Sequence, residues 1–131
     1  MIVDSSALVA ILLEERDSRQ YAEAIDGADR ARMSAATYIE IGIVIDKRRD
    51  PPLSRGMDRF ITAAAIGIEP VTERQARIAR EAYRDYGKGS GHPARLNFGD
   101  CFAYALARDM DEPLLFKGDD FSHTEITAAI A

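Results

Sequence analysis

Five carboxylates stand at places where a chain of this kind could do chemistry. Asp4 follows the apolar pair Ile2-Val3, Asp100 follows Gly99, and Asp119-Asp120 follow the run Leu114-Leu115-Phe116-Lys117-Gly118. Glu40 sits one turn into an apolar helical pattern. Brought together, three or four such groups repel one another, and their pKa values rise unless a cation neutralises them. An all-oxygen set with few histidines nearby suits hard Mg²⁺ or Mn²⁺, not zinc or copper. Such an ion lowers the pKa of water and stabilises charge on a phosphoryl group, which is the chemistry of metal-assisted phosphodiester hydrolysis. Asp100, opening a helix, is expected to stay ionised at neutral pH because the helix dipole favours an anion there. Each acid also has a plainer role: Asp4 before Ser5-Ser6 caps a helix, and Asp100 is a first-turn acid.

The elements that must position these groups read as short apolar strands separated by helices. Ile2-Val3 is a strand, followed by a helix over 7–13. Asp17-Ser18-Arg19-Gln20 forms a capping box for a helix to about residue 25. Arg32-Met33-Ser34 is a second strand, and 36–48 a helix with Ile39 and Ile43 on one face. Asp50-Pro51-Pro52 ends it, because proline disfavours the helical region in the residue before it. A helix over 53–66 and a strand over 69–71 come next. Thr72-Glu73-Arg74-Gln75 is another capping box, whose helix carries Ala76, Ala79, Ala82, Tyr83 and Tyr86. The stretch 87–95, with three glycines and a proline, reads as a mobile loop; a helix over 100–110 and a strand over 113–116 complete the pattern. This alternation predicts an α/β fold with a short parallel sheet flanked by helices on both faces. The acids then fall at the carboxyl ends of strands, where open parallel sheets collect their chemistry.

Composition sets the outer bounds. The chain has 131 residues, 47% hydrophobic, which fits a single domain over 1–131 with a real core. The longest apolar stretch, 7–13, is too short to span a bilayer. The amino terminus has no basic region or cleavable signal pattern, and Cys101 is the only cysteine, so a reducing cytoplasm and no membrane association are expected. The net charge of −5 argues mildly against a nucleic-acid partner, but a carboxylate cluster concentrates part of that charge in one pocket.

Four segments, in order and running essentially end to end, carry a family resemblance. Met1-Ile2-Val3-Asp4-Ser5-Ser6-Ala7-Leu8-Val9-Ala10 resembles the first strand and turn of PIN-domain ribonucleases of the VapC toxin type. Ser34-Ala35-Ala36-Thr37-Tyr38-Ile39-Glu40 fits the position of their second acid. Leu96-Asn97-Phe98-Gly99-Asp100-Cys101-Phe102-Ala103-Tyr104 resembles the segment of the third. Leu114-Leu115-Phe116-Lys117-Gly118-Asp119-Asp120-Phe121 resembles their closing strand and acidic turn. The resemblance implies a three-layer PIN-like fold and the toxin of a toxin–antitoxin pair, a Mg²⁺-dependent endoribonuclease cutting structured RNA of the tRNA or rRNA class. It implies Asp4 and Asp100 as metal ligands, with Glu40 completing the cluster and positioning water. Many relatives carry an Asp two residues after a Thr at the last strand, where this chain has Phe116 and then Gly118. The fourth acid must therefore be Asp119 or Asp120, with Asp120 preferred. Ser5 stands where threonine is more frequent, and its hydroxyl is retained. A VapB-type antitoxin and a homodimer are the implied partners. The rival within the same fold is a catalytically inactive PIN-like protein-binding module.

Lys88, His92 and Arg95 in the glycine-rich loop are candidates to grip RNA beside Asp100. Arg77, Arg80 and Arg84 lie at helical spacing and are candidates to grip RNA phosphates, but their interleaving with Glu73, Glu81 and Asp85 favours a solvated, salt-bridged face. His92 and His123 form no ligand-like pair, and Cys101 reads as a small core residue. Lys117 invites comparison with phosphoacceptor receiver domains, but Asp4 stands alone and Val71 is followed by Thr72-Glu73, so that pattern fails. Ala7, Leu8, Ile11 and Leu12 offer an apolar helix face to an antitoxin.

Overall fold

The computed structural model describes residues 1–130. Four parallel strands, β1 (Ile2–Val3), β2 (Arg32–Ser34), β3 (Gly67–Glu69) and β4 (Leu114–Leu115), form one sheet in the order β3-β2-β1-β4. The connecting helices are α1 (Ser5–Leu12), α2 (Ser18–Gly27), α3 (Ala35–Asp46), α4 (Pro51–Ala63), α5 (Glu73–Tyr86) and α6 (Phe98–Met110).

Strands of two or three residues supply few hydrogen bonds, so burial on both faces must hold the sheet. Alternation divides the side chains cleanly. Val3, Met33 and Leu115 pack into a core with Leu8, Ile41, Ile45, Met57 and Ile61 from α1, α3 and α4. Ile2 and Leu114 point the other way, into a core with Leu96, Tyr104, Leu106 and Phe121. All five strand residues are fully buried. The result is helix–sheet–helix, three layers, as expected for a parallel sheet. The β4 edge is covered by the chain that follows: Leu114 N–H donates to Thr127 C=O at 2.9 Å and Ala129 N–H to Leu114 C=O at 2.8 Å. No helix among the described residues is long and apolar enough to cross a membrane.

Local chemistry explains where the elements differ from the sequence pattern. Pro51 and Pro52 open α4, whose cap is the Asp50 carboxylate accepting from Leu53 N–H at 3.3 Å. Proline fits the first helical turn because its missing N–H has no helical acceptor there. The third strand begins at Gly67, two residues before the expected 69–71. Ala65 takes a left-handed conformation (φ 54°) and Ile66 N–H bonds back to Ile61 C=O at 3.0 Å, ending α4 early. Asp17 makes no cap hydrogen bond; its carboxylate is taken by Lys117 Nζ at 3.0 Å. Thr72 caps α5, but Gln75 reaches out to Asp109, so only half of that box forms. The glycine-rich segment is zipped at its base, with Lys88 N–H on Leu96 C=O (3.0 Å) and Leu96 N–H on Tyr86 C=O (2.8 Å). Its inner residues Ala94 and Leu96 are buried. It is a tethered loop, not a free lid. The α1 face expected to await a partner is inside: Ala7 and Leu8 are buried, and Ile11 and Leu12 pack against the core.

Candidate active site

In this sheet the chain leaves β1 towards β2 and β3, then returns on the other side of β1 as β4. The carboxyl ends of β1 and β4 therefore border a topological switch point, where a crevice opens. Asp4 follows β1 directly. It caps α1, its Oδ2 accepting from Ser6 N–H at 3.0 Å and from the Ser6 hydroxyl. Ser6 Oγ in turn accepts from Lys117 N–H at 2.9 Å, which ties the turn after β4 to the start of α1. Asp100 is delivered by a reciprocal capping box at the start of α6: Asn97 Oδ1 accepts from Asp100 N–H at 2.8 Å, and Asp100 Oδ2 accepts from Asn97 N–H at 3.0 Å. Lys117 itself is committed to Glu15 and Asp17, at 2.5 and 3.0 Å.

Glu40 reaches the same place from α3. Its carboxylate lies against the backbone of Gly99, and a methyl group there would collide with both of its oxygens. Only glycine leaves room for that approach beside Asp100. Gly99→Ala should thus push the Glu40 carboxylate aside and cut cleavage about ten- to hundredfold, the cost of displacing a reacting group by an ångström. The melting temperature should hardly change, since the colliding atoms end a flexible side chain. A rate within twofold of the parent would contradict this placement of Glu40.

The turn after β4 sets the last two acids in different surroundings. Gly118 has φ 98°, a conformation open to glycine, and the chain turns back so that the Asp120 charge acts on Asp100. Asp119, the residue before Asp120, is exposed. Phe121, fully buried against Phe116 at 5.2 Å between ring centroids, anchors the turn from beneath.

Burial and mutual repulsion govern the charges. Asp4 is almost wholly buried; desolvation, aided by the Glu40 charge and opposed by the Ser6 hydrogen bonds, raises its pKa to about 6. Asp100 rises to about 7, first through burial and then through Asp4 and Asp120. In the absence of a cation, desolvation and the neighbouring acids work against the helix dipole that favours an ionised Asp100. Asp4 Oδ1 is one of the few buried side-chain polar atoms among the described residues with no hydrogen-bond partner. An orphaned anionic oxygen costs free energy unless a cation meets it, and the neighbouring donors are all hard oxygens, so the set fits Mg²⁺ or Mn²⁺. The side chains as they stand among the described residues do not form a closed three-ligand cage.

Beside the acids, Lys88, Arg95, Asn97, Asp119, Asp120 and His123 line a cleft of about 310 Å³. Lys88 and Arg95 are exposed there, as the loop reading required. His92 is not with them: its Nδ1 accepts from Ala94 N–H at 3.1 Å and its ring packs edge-on to Tyr86. His123, passed over in the sequence, lines the cleft in its place. Cys101 is buried with its pKa raised to about 11, and is no nucleophile. On the other flank of Glu40, Ile39, Ile43, Val44, Phe98 and Phe102 border an apolar furrow of about 370 Å³.

A family model for the PIN domain matches residues 1–126. The chain belongs to the PIN domain family. Its similarity to curated PIN-domain relatives runs the full length. The ribonuclease VapC28 of Mycobacterium tuberculosis is 59% identical over 130 residues, covering 99% of this chain and 98% of that one. The ribonuclease VapC42 of the same species is 50% identical over 129 residues, covering 98% of each. Among solved structures, M. tuberculosis VapC20, described as a Sarcin-Ricin loop cleaving toxin, superposes with a TM-score of 0.76 at 16% identity, over 96% of this chain and 95% of that one. A chain of a toxin–antitoxin complex from Klebsiella pneumoniae gives 0.70 at 17% identity, over 95% and 92%. At that identity the two structures establish the PIN fold, and the curated relatives place the chain among PIN domains of the VapC type.

Proposed function

We propose that this protein is the toxin of a toxin–antitoxin pair, a metal-dependent endoribonuclease acting in the cytoplasm on structured RNA of the tRNA or rRNA class, its chain forming one PIN domain. The observation that carries the reading is the buried, unpartnered Asp4 Oδ1 among Glu40, Asp100 and Asp120. A divalent ion such as Mg²⁺ or Mn²⁺, when bound, supplies Lewis acidity towards water and the scissile phosphate. Asp4 and Asp100 hold it, and Asp120 adds charge from the β4 turn. Glu40, held beside Gly99, takes the proton of the attacking water. Lys88 and Arg95 meet the phosphates flanking the cut, and His92 sets the shape of their loop. An inactive binding module would gain nothing from crowding like charges in a buried pocket. Chelator should stop cleavage, Mg²⁺ or Mn²⁺ should restore it, and Asp4→Asn should resist that rescue; cleavage persisting in chelator would refute the reading.

The partners follow from the surface. Ile39, Ile43 and Phe98 are 60, 56 and 76% exposed and border one apolar furrow. This face of α3 and α6 supports a homodimer. A VapB-type antitoxin then covers the acid cleft. Ile43→Glu should convert a dimer into a monomer in sedimentation, and a parent protein already monomeric at micromolar concentration would defeat the assignment.

A further inference from the structure

We propose that Arg77, Arg80 and Arg84 on α5 form a second phosphate-binding site, which holds the RNA backbone away from the scissile bond; the identity of the ligand rests on the ribonuclease reading above. α5 packs on α6 through the buried residues Gln75 and Ala82, with Ile78 and Ala79 half-buried beside them. The three arginines project from the opposite side, where the Arg77 and Arg84 side chains are 75 and 69% exposed. With Glu81 they line a groove of about 340 Å³. Spacings of three and four residues keep them in one row, advancing about 4.5 and 6 Å along the helix axis. The core of the fold makes no use of them.

Their internal neutralisation is incomplete. Arg77 touches Glu73 at 3.5 Å through one nitrogen, and Arg84 holds its neighbour Asp85 through two, at 2.9 and 3.2 Å. Arg80 enters no ion pair among the described residues. Exposed pairs of this kind are worth little and exchange readily, whereas a guanidinium fork matches a phosphate with two parallel hydrogen bonds. A row of such forks suits a polymer bearing an anion at every step.

The row also faces the right way. Arg80 borders a second furrow with Ala76, Tyr83, Phe98 and Phe102. Phe98 and Phe102 in turn border Glu40 and Gly99. Within one protomer Phe98 and Phe102 join the arginine row to the Glu40 side of the acids, so in the homodimer proposed above the row flanks the seam and RNA reaches it around that seam. Lys88 and Arg95 hold the near phosphates; the α5 row holds distant ones.

The test is binding, so it does not depend on cleavage. The probe is a long hairpin RNA, and the proteins are the full chain with Asp4→Asn, with and without Arg77→Gln, Arg80→Gln and Arg84→Gln. Removing three phosphate contacts should weaken binding about tenfold or more and reduce the slope of log affinity against log salt by about 2. Glu81→Gln alone should move affinity the other way, which keeps the test decisive if the triple variant folds poorly. A short oligonucleotide spanning only the acid cleft should show no comparable loss. Unchanged hairpin affinity and salt slope would overturn the proposal. So would an acidic peptide that binds the row while hairpin affinity stays constant. If the parent binds hairpin RNA through α5 but never cleaves it, the ribonuclease reading fails and the site stands.

Discussion

Asparagine at position 4 should lower RNA cleavage by about a thousandfold or more while leaving the protein folded. The substitution keeps the shape of the side chain, and its carbonyl oxygen can still accept from Ser6 N–H and cap α1. What it removes is the negative charge and the free, buried oxygen that no protein group reaches. An amide nitrogen in that position presents donors to a cation that needs an acceptor. Single-turnover cleavage with excess enzyme measures the loss, and circular dichroism checks the fold. A rate within tenfold of the parent would remove Asp4 from the centre. The acids after β4 give an internal comparison: Asp120→Asn should be markedly worse than Asp119→Asn, because only Asp120 lies against Asp100.

The second large effect concerns stability, and its sign is opposite to the usual carboxylate case. In the metal-free protein Asp4 and Asp100 have folded-state pKa values raised from 3.8 to about 6 and about 7. Between those limits the folded chain binds more protons than the unfolded one, so stability falls as pH rises from about 4 through 7. For Asp4 alone the loss is about 3 kcal/mol. Carboxylates with lowered pKa, such as Asp17 and Asp85, lose their contribution only in more acidic solution and do not disturb this window. A melting temperature in chelator should therefore drop by roughly 5–15 °C from pH 5 to pH 8. Saturating Mg²⁺ should remove most of that drop, because an ion offsets the charges that burial penalises. Asp4→Asn should flatten the pH dependence without any metal. A melting temperature in chelator that is level or rises over this range would show that the acids are not crowded as described.

The sequence pattern goes far towards this site because Asp4, Asp100 and the Asp119-Asp120 pair each stand at the boundary of a strand or helix that its own apolar residues announce. Once the strands are parallel, those boundaries meet at one edge. What pattern cannot show is contact between distant segments. Gly99 looks like a turn residue beside Asp100, and its purpose appears only when α3 lays Glu40 across it. His92 and His123 exchange roles because one is captured by Tyr86 and the other is carried in by the turn after β4. β3 was legible only roughly, since Ile66 and Ile68 fit a helical period as well as a strand, and a left-handed Ala65 decides between them. The arginines of α5 illustrate the same limit: interleaved acids suggest neutral pairs, but at Arg80 the pair does not form.

One consequence of the caps concerns which ions the pocket accepts. Asp4 and Asp100 each bolt one carboxylate oxygen to backbone N–H groups, Asp4 to Ser6 and Asp100 to Asn97. Each therefore extends a single arm. Calcium favours seven or eight oxygens and carboxylates that clasp it with both, whereas magnesium takes six in a tight octahedron and fills the remaining positions with water. On the proposed metal reading, a pocket of one-armed, rigidly mounted carboxylates should favour Mg²⁺ over Ca²⁺, with the helix caps setting that preference.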